Sequence, residues 1–515
     1  MKKLSFLLAL VLLLSCCAGM SALAEETVTF TWMYPLGQGF QVVDSMSENA
    51  TIKRANEANN VEIIFQHPPV GQETEQYNLM LNGGELPDII THGWGLPETF
   101  PGGPDKAIAD EYFLDLTQLI KDNAPNYQHI LETNEVVRKA VTTDNGAVWN
   151  MCMVDLTAQP EWDGPTIRKD IFDKYGLEIP VTIDDWYTAL KTLKEKAPAD
   201  YPNFKYPLMV GTNGFGDFNS FLGSFNADDT FQLNEEGEVV FGPITDNYKA
   251  AVENMAKWYA EGLIQEDYSV WNDFSKEFQN AECAAATYVG FWNFDSWTEA
   301  GKAIDPNYEM LGVAYPKLTA DGEIPHISYT QTQARGYATV VTADCKNPEK
   351  AVSYLDWFYS EEGSHLANWG VEGEDYTMVD GKEVYTDKIV RNAEGVDIAT
   401  INFKYLYSHG AFLRDWTREN GSYGEEANAC QVRWGTSADD KYMMPVTLSY
   451  TDEESSEFNN IMNDVNTYVN ENTTAFITGK RSLTEWDDYV AQIKAMTIDA
   501  ATAIEKASYE RWLAR

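Results

Sequence analysis

The chain runs to 515 residues, with 80 Asp and Glu against 37 Lys and Arg and a formal charge of −43 at pH 7. A surface this acidic repels phosphate backbones and anionic lipid headgroups, which argues against nucleic acid as a partner and favours neutral or cationic small molecules. The length exceeds what one hydrophobic core supports, so two domains are expected.

Residues 1–24 read as a secretory leader. Lys2 and Lys3 precede an apolar run from Leu4 to Leu14, and Ala22-Leu23-Ala24 stands before Glu25 as a small-residue cleavage site. The run is about half of the roughly 20 residues that a bilayer-crossing helix needs, so the chain is expected to be exported rather than embedded. A second processing route is written in Leu13-Leu14-Ser15-Cys16, which resembles a lipobox and makes Cys16 a candidate for lipidation. Its middle Leu is atypical and no Gly/Ser-rich tether follows, so cleavage after Ala24 is preferred. Past the leader stand Cys152, Cys283, Cys345 and Cys430. None forms a CxxC pair, so a zinc site is unsupported, and their three disulfide pairings stay open.

The pattern then alternates strand and helix: strand Val28 to Trp32, helix Ser47 to Ala58, strand Val61 to Gln66, helix Glu73 to Leu81, strand Asp88 to Thr91. This order implies a parallel, doubly wound sheet with right-handed crossovers, whose ligands lie beyond the carboxyl ends of the strands. Those ends are Tyr34-Pro35-Leu36 and His92-Gly93-Trp94-Gly95. From Pro165 to Pro198 two short helices meet at a stiff corner. The first is expected from Arg168 to Tyr175, stopped by Gly176 and Pro180. Thr182 and Asp185 form a capping box for the second, which buries Trp186, Leu190 and Leu193 and closes at Pro198.

Further on, Asp246 to Leu263 reads as an amphipathic helix with Tyr248, Val252, Met255 and Tyr259 inward. Cys283 to Phe291 is a buried strand, and Met310 to Tyr315 a short one leading to a hinge crossing at Pro316. Tyr337 to Thr342 is a strand, and Asn347-Pro348 opens a helix through Tyr359. Residues 362–445, dense in Gly, Trp, Tyr and Asp, are expected as long loops or an insertion on the second lobe. Two helices close the chain. One ends at Phe476-Ile477-Thr478-Gly479; the other opens on a capping box, Ser482 to Glu485, and buries Trp486, Tyr489, Ile493 and Met496.

The wording from Ile167 to Trp186, IRKDIFDKYGLEIPVTIDDW, resembles the family 1 extracellular solute-binding proteins of bacterial ABC sugar importers. It is similar above all to their large, lipoprotein-like branch that takes oligosaccharides. The phrases Gly84 to Ile90, Trp258 to Ile264, and Phe476 to Gly479 with Trp486 and Tyr489 carry the same likeness, in the family's order. The resemblance implies an α/β, two-lobed, type II periplasmic-binding-protein-like fold, each lobe a doubly wound mixed sheet flanked by helices. It implies lobes of residues 25–150 plus 310–358 and 155–309 plus 359–515, with a hinge between them. It further implies a monomer without cofactor or metal that captures a carbohydrate and hands it to the transmembrane subunits of an ABC permease.

Sugars present flat apolar faces edged with hydroxyls, so a binder needs aromatic platforms and planar polar groups. Trp94, at a strand's carboxyl end between glycines, and Trp292, after Val289-Gly290-Phe291, are the leading platforms. The second phrase resembles the maltose-type binding proteins, which implies that Trp292 stacks on sugar. Trp149 and Phe215, the latter in a Gly-rich loop, are weighed evenly between core and ligand. For the hydroxyl edges the candidates are Arg168 and Arg335, whose guanidinium forks match vicinal oxygens, with Asn219 and Asp295 beside the aromatics. Each Arg could as well serve a lobe-stabilising salt bridge in so acidic a chain. No G-x-S-x-G elbow, HExxH pair or phosphate-binding loop occurs, and Asn234 to Glu238 lacks EF-hand spacing. A secreted glycoside hydrolase needs only two carboxylates and stays open as a rival, as does the same fold carrying a peptide or polyamine.

Overall fold

A computed structural model describes residues 27–92, 100–157, 160–211, 220–268, 274–327 and 332–515 as two α/β lobes, each built on its own mixed sheet. Cys16 and the expected leader of residues 1–24 lie outside the described residues. Strands β1 (Val28–Met33), β2 (Val61–Gln66), β3 (Ile89–His92) and β4 (Met151–Asp155) enter the first sheet. β5 (Asp163–Arg168), β6 (Tyr206–Met209), β9 (Cys283–Gly290) and β10 (Met310–Gly312) form the second; β7 (Phe231–Leu233) and β8 (Val239–Phe241) make a hairpin between them. β11 (Ala334–Val341) and β14 (Phe412–Arg414) return to the first sheet, separated by the hairpin of β12 (Tyr376–Val379) and β13 (Lys382–Tyr385).

The expected β-α-β-α-β start is present, with β1 paired in parallel to both β2 and β3. The first sheet is ordered β14-β4-β11-β3-β1-β2, with β11 antiparallel to its neighbours; the second is β10-β5-β9-β6. Apolar residues cover both faces of each sheet, as a central sheet flanked by helices requires. Phe30, Trp32, Ile63, Tyr127 and Leu355 pack one face of the first sheet, and Met33, Tyr77, Ile90 and Trp149 the other. On the second sheet Ile167, Trp186, Leu193, Met255 and Val465 pack one face, and Phe291, Met310, Trp416 and Trp434 the other.

Local signals hold well. Thr182 and Asp185 form the capping box of helix Ile183–Asp200, whose Trp186, Leu190 and Leu193 are fully buried. That helix continues through Pro198 instead of closing there; the amide Pro198 lacks would have met the carbonyl of Lys194, which lies on the exposed side. Ser482 caps only through Thr484 N, in a short 3-10 turn before helix Trp486–Ala495.

Long-range placements differ more. β10, expected in the first lobe, pairs with β5 in the second, and Val313 and Tyr315 pack into second-lobe cores. Pro316 is therefore no crossing; the neighbouring Lys317 still bridges to Thr182 of the second lobe. β14, expected in the second lobe, pairs with β4, and Ala367, Phe403, Tyr407 and Phe412 join the first lobe's core. The supposed loops of 362–445 hold helices Glu361–Trp369, Ile398–Tyr405 and Glu425–Thr436, the first two capped by Ser360 and Asp397. All four described cysteines are buried and free, and burial raises the Cys152 thiol to about 12.

Candidate functional site

Backbone hydrogen bonds tie together the strand ends of each sheet at the edge where the chain passes from one to the other. Asp155 N, ending β4, donates to Gln333 O at the start of β11 (2.8 Å), and Leu156 N donates to Arg414 O ending β14 (2.8 Å). In the second sheet, Phe291 N, just past β9, donates to Trp162 O, just before β5 (2.8 Å). The carboxyl ends of β4 and β14 meet the start of β5 and the end of β9 through Trp416, two residues past β14, whose ring lies 6.1 Å from Trp162 and 5.9 Å from Phe291; doubly wound sheets take their ligands at such strand ends.

An aromatic stack fills this edge. Trp162 lies on Trp416 with centroids 6.1 Å apart and rings tilted by 19°. Trp292 stands edge-on to Trp162 at 6.4 Å and to Phe291 at 5.4 Å. Phe291 in turn meets Tyr423 at 4.9 Å. The ring of Trp292 lies against Gly290, where a Cβ would come within 2.5 Å of it, so only glycine leaves the indole its place. Trp416 is buried and Trp162 half-buried, whereas Trp292 is 43% exposed. A rigid, half-exposed indole backed by a buried stack is a platform for the apolar face of a ligand.

Charges lock the stack from behind. The Arg414 guanidinium sits 4.4 Å from the Trp416 ring and pairs with Glu419 at 2.8 Å; Arg418 approaches Glu419 at 3.5 Å and donates to Tyr407 O. Burial alone would push the Glu419 carboxyl up, but the two guanidiniums outweigh it and hold it below the usual range. Asp155, Glu161 and Asp163 are buried at the same edge, and Tyr315 donates its hydroxyl to Asp163 O at 2.8 Å. Burial, reinforced by Glu161 and Asp163, raises the Tyr315 phenol well above its ordinary value, so it stays a donor.

Of the residues expected from sequence, Trp292 stands at this edge. Arg335 lies by its backbone at the near end of β11, opposite Met153. Asp295 is close by, but its carboxylate accepts from Gly424 N at 2.7 Å and so pins the segment following Tyr423. Trp94, Phe215 and Asn219 lie outside the described residues.

Two expectations are corrected. Arg168 ends β5, five residues and about 17 Å of strand from Asp163, away from the facing edges. There it is buried, bonded to both Asp170 oxygens (2.8 and 2.7 Å) and to Phe278 O, with Tyr308 4.0 Å from its guanidinium. It is a structural ion pair. Trp149 is only 3% exposed and packs with Met33, Phe113 and Ala338 in the first lobe's core.

Sequence reading missed Trp162, Trp416, Tyr423 and Arg414. Trp162 had a signal, since it directly precedes the Asp163-Gly164-Pro165 entry to the second lobe. The others lay in the span taken for loops, and only the β14–β4 pairing brings them in. A separate open hollow of about 600 Å³ beside Asp452, Glu453, Glu457 and Thr497 offers carboxylates but no aromatic face, so it lacks the platform chemistry of the strand edge.

Residues 44–364 match the family model described as bacterial extracellular solute-binding protein. Among curated proteins, the fructooligosaccharide ABC transporter substrate-binding protein FusA of Streptococcus pneumoniae is 23% identical over 478 residues, 85% of this chain and 83% of that protein. Among solved structures, an HMO-binding, ABC-transporter-associated solute-binding protein of Bifidobacterium longum infantis aligns with a TM-score of 0.73 at 17% identity. The alignment covers 94% of this chain and 99% of that one. The alginate-binding protein AlgQ2 aligns at 0.70 and 21% identity, over 95% and 99%. At these identities the structural likeness is one of fold.

Proposed function

The chain belongs to the bacterial extracellular solute-binding proteins, and from that premise we propose that it is the capturing component of an ABC importer for a neutral oligosaccharide. The observation that carries this reading is Trp292, exposed at the end of β9 and braced by Trp162 and Trp416 where the two sheets face each other. A pyranose or furanose ring lies on the indole. The acceptors Asp155, Glu161 and Asp163 stand at the edge where hydroxyls come to rest, beside the backbone of the start of β11, which carries Arg335. The chain's formal charge of −43 disfavours an acidic sugar by like-charge repulsion, so the alginate of AlgQ2 is a poorer guide than the fructooligosaccharide of FusA.

Closure follows from differential affinity: a sugar touching both lobes binds the closed form more tightly and shifts the population towards it. The protein leaves the sugar chemically unchanged and, as a monomer, presents the closed form to the permease. Export proceeds through the leader of residues 1–24, with cleavage after Ala24 preferred over lipidation at Cys16.

Calorimetric titration with kestose-length fructooligosaccharides, raffinose, an alginate oligomer, a peptide and a polyamine tests the reading. One neutral oligosaccharide is expected to bind one-to-one, change Trp fluorescence and, at a hundredfold excess over Kd, stabilise by about 2.7 kcal/mol. New reducing ends appearing in the bound sugar would make the protein a hydrolase. Binding of peptide or polyamine alone would change the cargo.

A further inference from the structure

The lobes also touch away from the strand edge. Asp144 sits on the turn after helix Glu135–Val141, whose Val137 and Val141 belong to the first lobe's core. Its carboxylate accepts from four donors of second-lobe segments. Arg511 Nε approaches at 2.7 Å, Arg515 Nε at 2.9 Å, Arg515 Nη2 at 2.5 Å and Ser449 Oγ at 2.9 Å. The two arginines end helix Ile498–Ala514, whose Ile498 and Ala501 lie in the second lobe's core. Arg511 is also held by Glu454 (2.9 and 2.7 Å), and Arg515 donates to Thr447 O (2.9 Å).

The contact is wider than one ion pair. Lys139 of the first lobe lies 4.7 Å from the Trp512 ring, and Lys106 reaches Asp452 at 3.5 Å. Gly102 leaves room for the Asp452 carboxylate where any side chain would collide with it. Asn145 N donates to Asp105 (3.2 Å), tying the Asp144 turn to the segment that follows the carboxyl end of β3. The contact therefore engages the rim of the first lobe rather than its crossings to the second. The Asp144 and Arg515 side chains are 14% and 4% exposed, so water and salt screen the pair weakly.

We propose that Asp144, gripped by Arg511 and Arg515, is an interlobe latch that biases the sugar-free protein towards the lobe arrangement described here. The inference rests on the two-lobed capture reading and adds its regulation. A contact between two bodies that open and close counts in one position and is lost in the other, so it shifts the opening equilibrium by its own strength. Asp144 touches no residue of the aromatic stack among the described contacts, so it acts through lobe geometry.

Small-angle X-ray scattering of the purified, sugar-free protein tests this directly. Asp144→Asn, and separately Arg511→Gln with Arg515→Gln, are expected to enlarge the radius of gyration, while Asp144→Glu keeps the wild-type value. Profiles of the first two variants that superimpose on wild type, with folded circular dichroism, would overturn the latch. Loss of the folded spectrum in both would also overturn it, because the network would then serve folding rather than opening. No sugar enters this experiment, so a failed sugar titration leaves its outcome unaffected.

Discussion

Replacing Trp292 by Ala removes the exposed part of the aromatic stack. An indole side chain presents roughly 250 Å², and 43% of Trp292 is exposed, leaving about 100 Å² for a ligand. At about 25 cal/mol per Å² its full coverage is worth up to ~2.5 kcal/mol. A sugar lying on one face covers roughly half, or ~1.3 kcal/mol. Trp292→Ala should therefore weaken the tightest oligosaccharide by about 10-fold, and by at most about 70-fold. Stability should fall by a comparable or larger amount, about 1–3 kcal/mol, since the lost edge contacts to Trp162 and Phe291 are each worth about 0.5–1.5 kcal/mol. At about 2–4 °C per kcal/mol the variant stays folded at room temperature. Isothermal titration gives the affinity and a thermal melt gives the stability. An affinity within about twofold of wild type would refute the platform, because an uncovered indole contributes no burial.

Three further outcomes follow from named contacts. Gly290→Ala keeps an allowed backbone (φ −67°) but sets a Cβ against the Trp292 ring. It should lower sugar affinity about as much as Trp292→Ala with little change in melting temperature; unchanged titrations would show that the ring has room to move. Arg168→Met strands the buried Asp170 and should cost about 3–5 kcal/mol in urea unfolding, with the affinity of the folded fraction intact. Lost affinity at unchanged stability would return Arg168 to the cleft. Burial raises the Glu505 carboxyl despite the hydroxyl that Tyr450 donates to it at 2.5 Å. Its folded pKa lies above its unfolded one, so ionisation opposes folding, a cost that appears as pH rises past the unfolded value and is complete above the folded one. Glu505→Gln should melt higher than wild type at pH 7.5 and alike at pH 4; a pH-independent difference would contradict that linkage.

Local order was legible because its causes are local. The alternation at Phe30 and Trp32 and the cap at Thr182 each depend on neighbours within a few residues, and they stand as read. Cores were legible in the same way: Trp186, Leu190 and Leu193 recur on one helical face and are buried together. The misplacements concern pairing at a distance. β10 and β14 are three-residue strands, too short to declare a partner: β10 joined the sheet opposite to the one expected, and β14 joined the first sheet from a span expected as second-lobe loops. Trp149 and Arg168 carry the side chains of a binding site, yet one packs in a core and the other pairs with Asp170 at the wrong end of its strand.

The sequence by itself determined the charge, the run of strands and helices, and, through phrases such as Ile167 to Trp186, the family. It also singled out Trp292, through its place after Val289-Gly290-Phe291 at the end of a buried strand. Tertiary structure alone decided what stands behind that indole. Trp162 and Trp416 are 254 residues apart, and they stack only because β14 pairs with β4 while β5 begins eight residues after β4 ends. Asp144 and Arg515 meet across a still longer separation. Local patterning records which face of an element is apolar; which distant face covers it is settled by the packing of the whole chain.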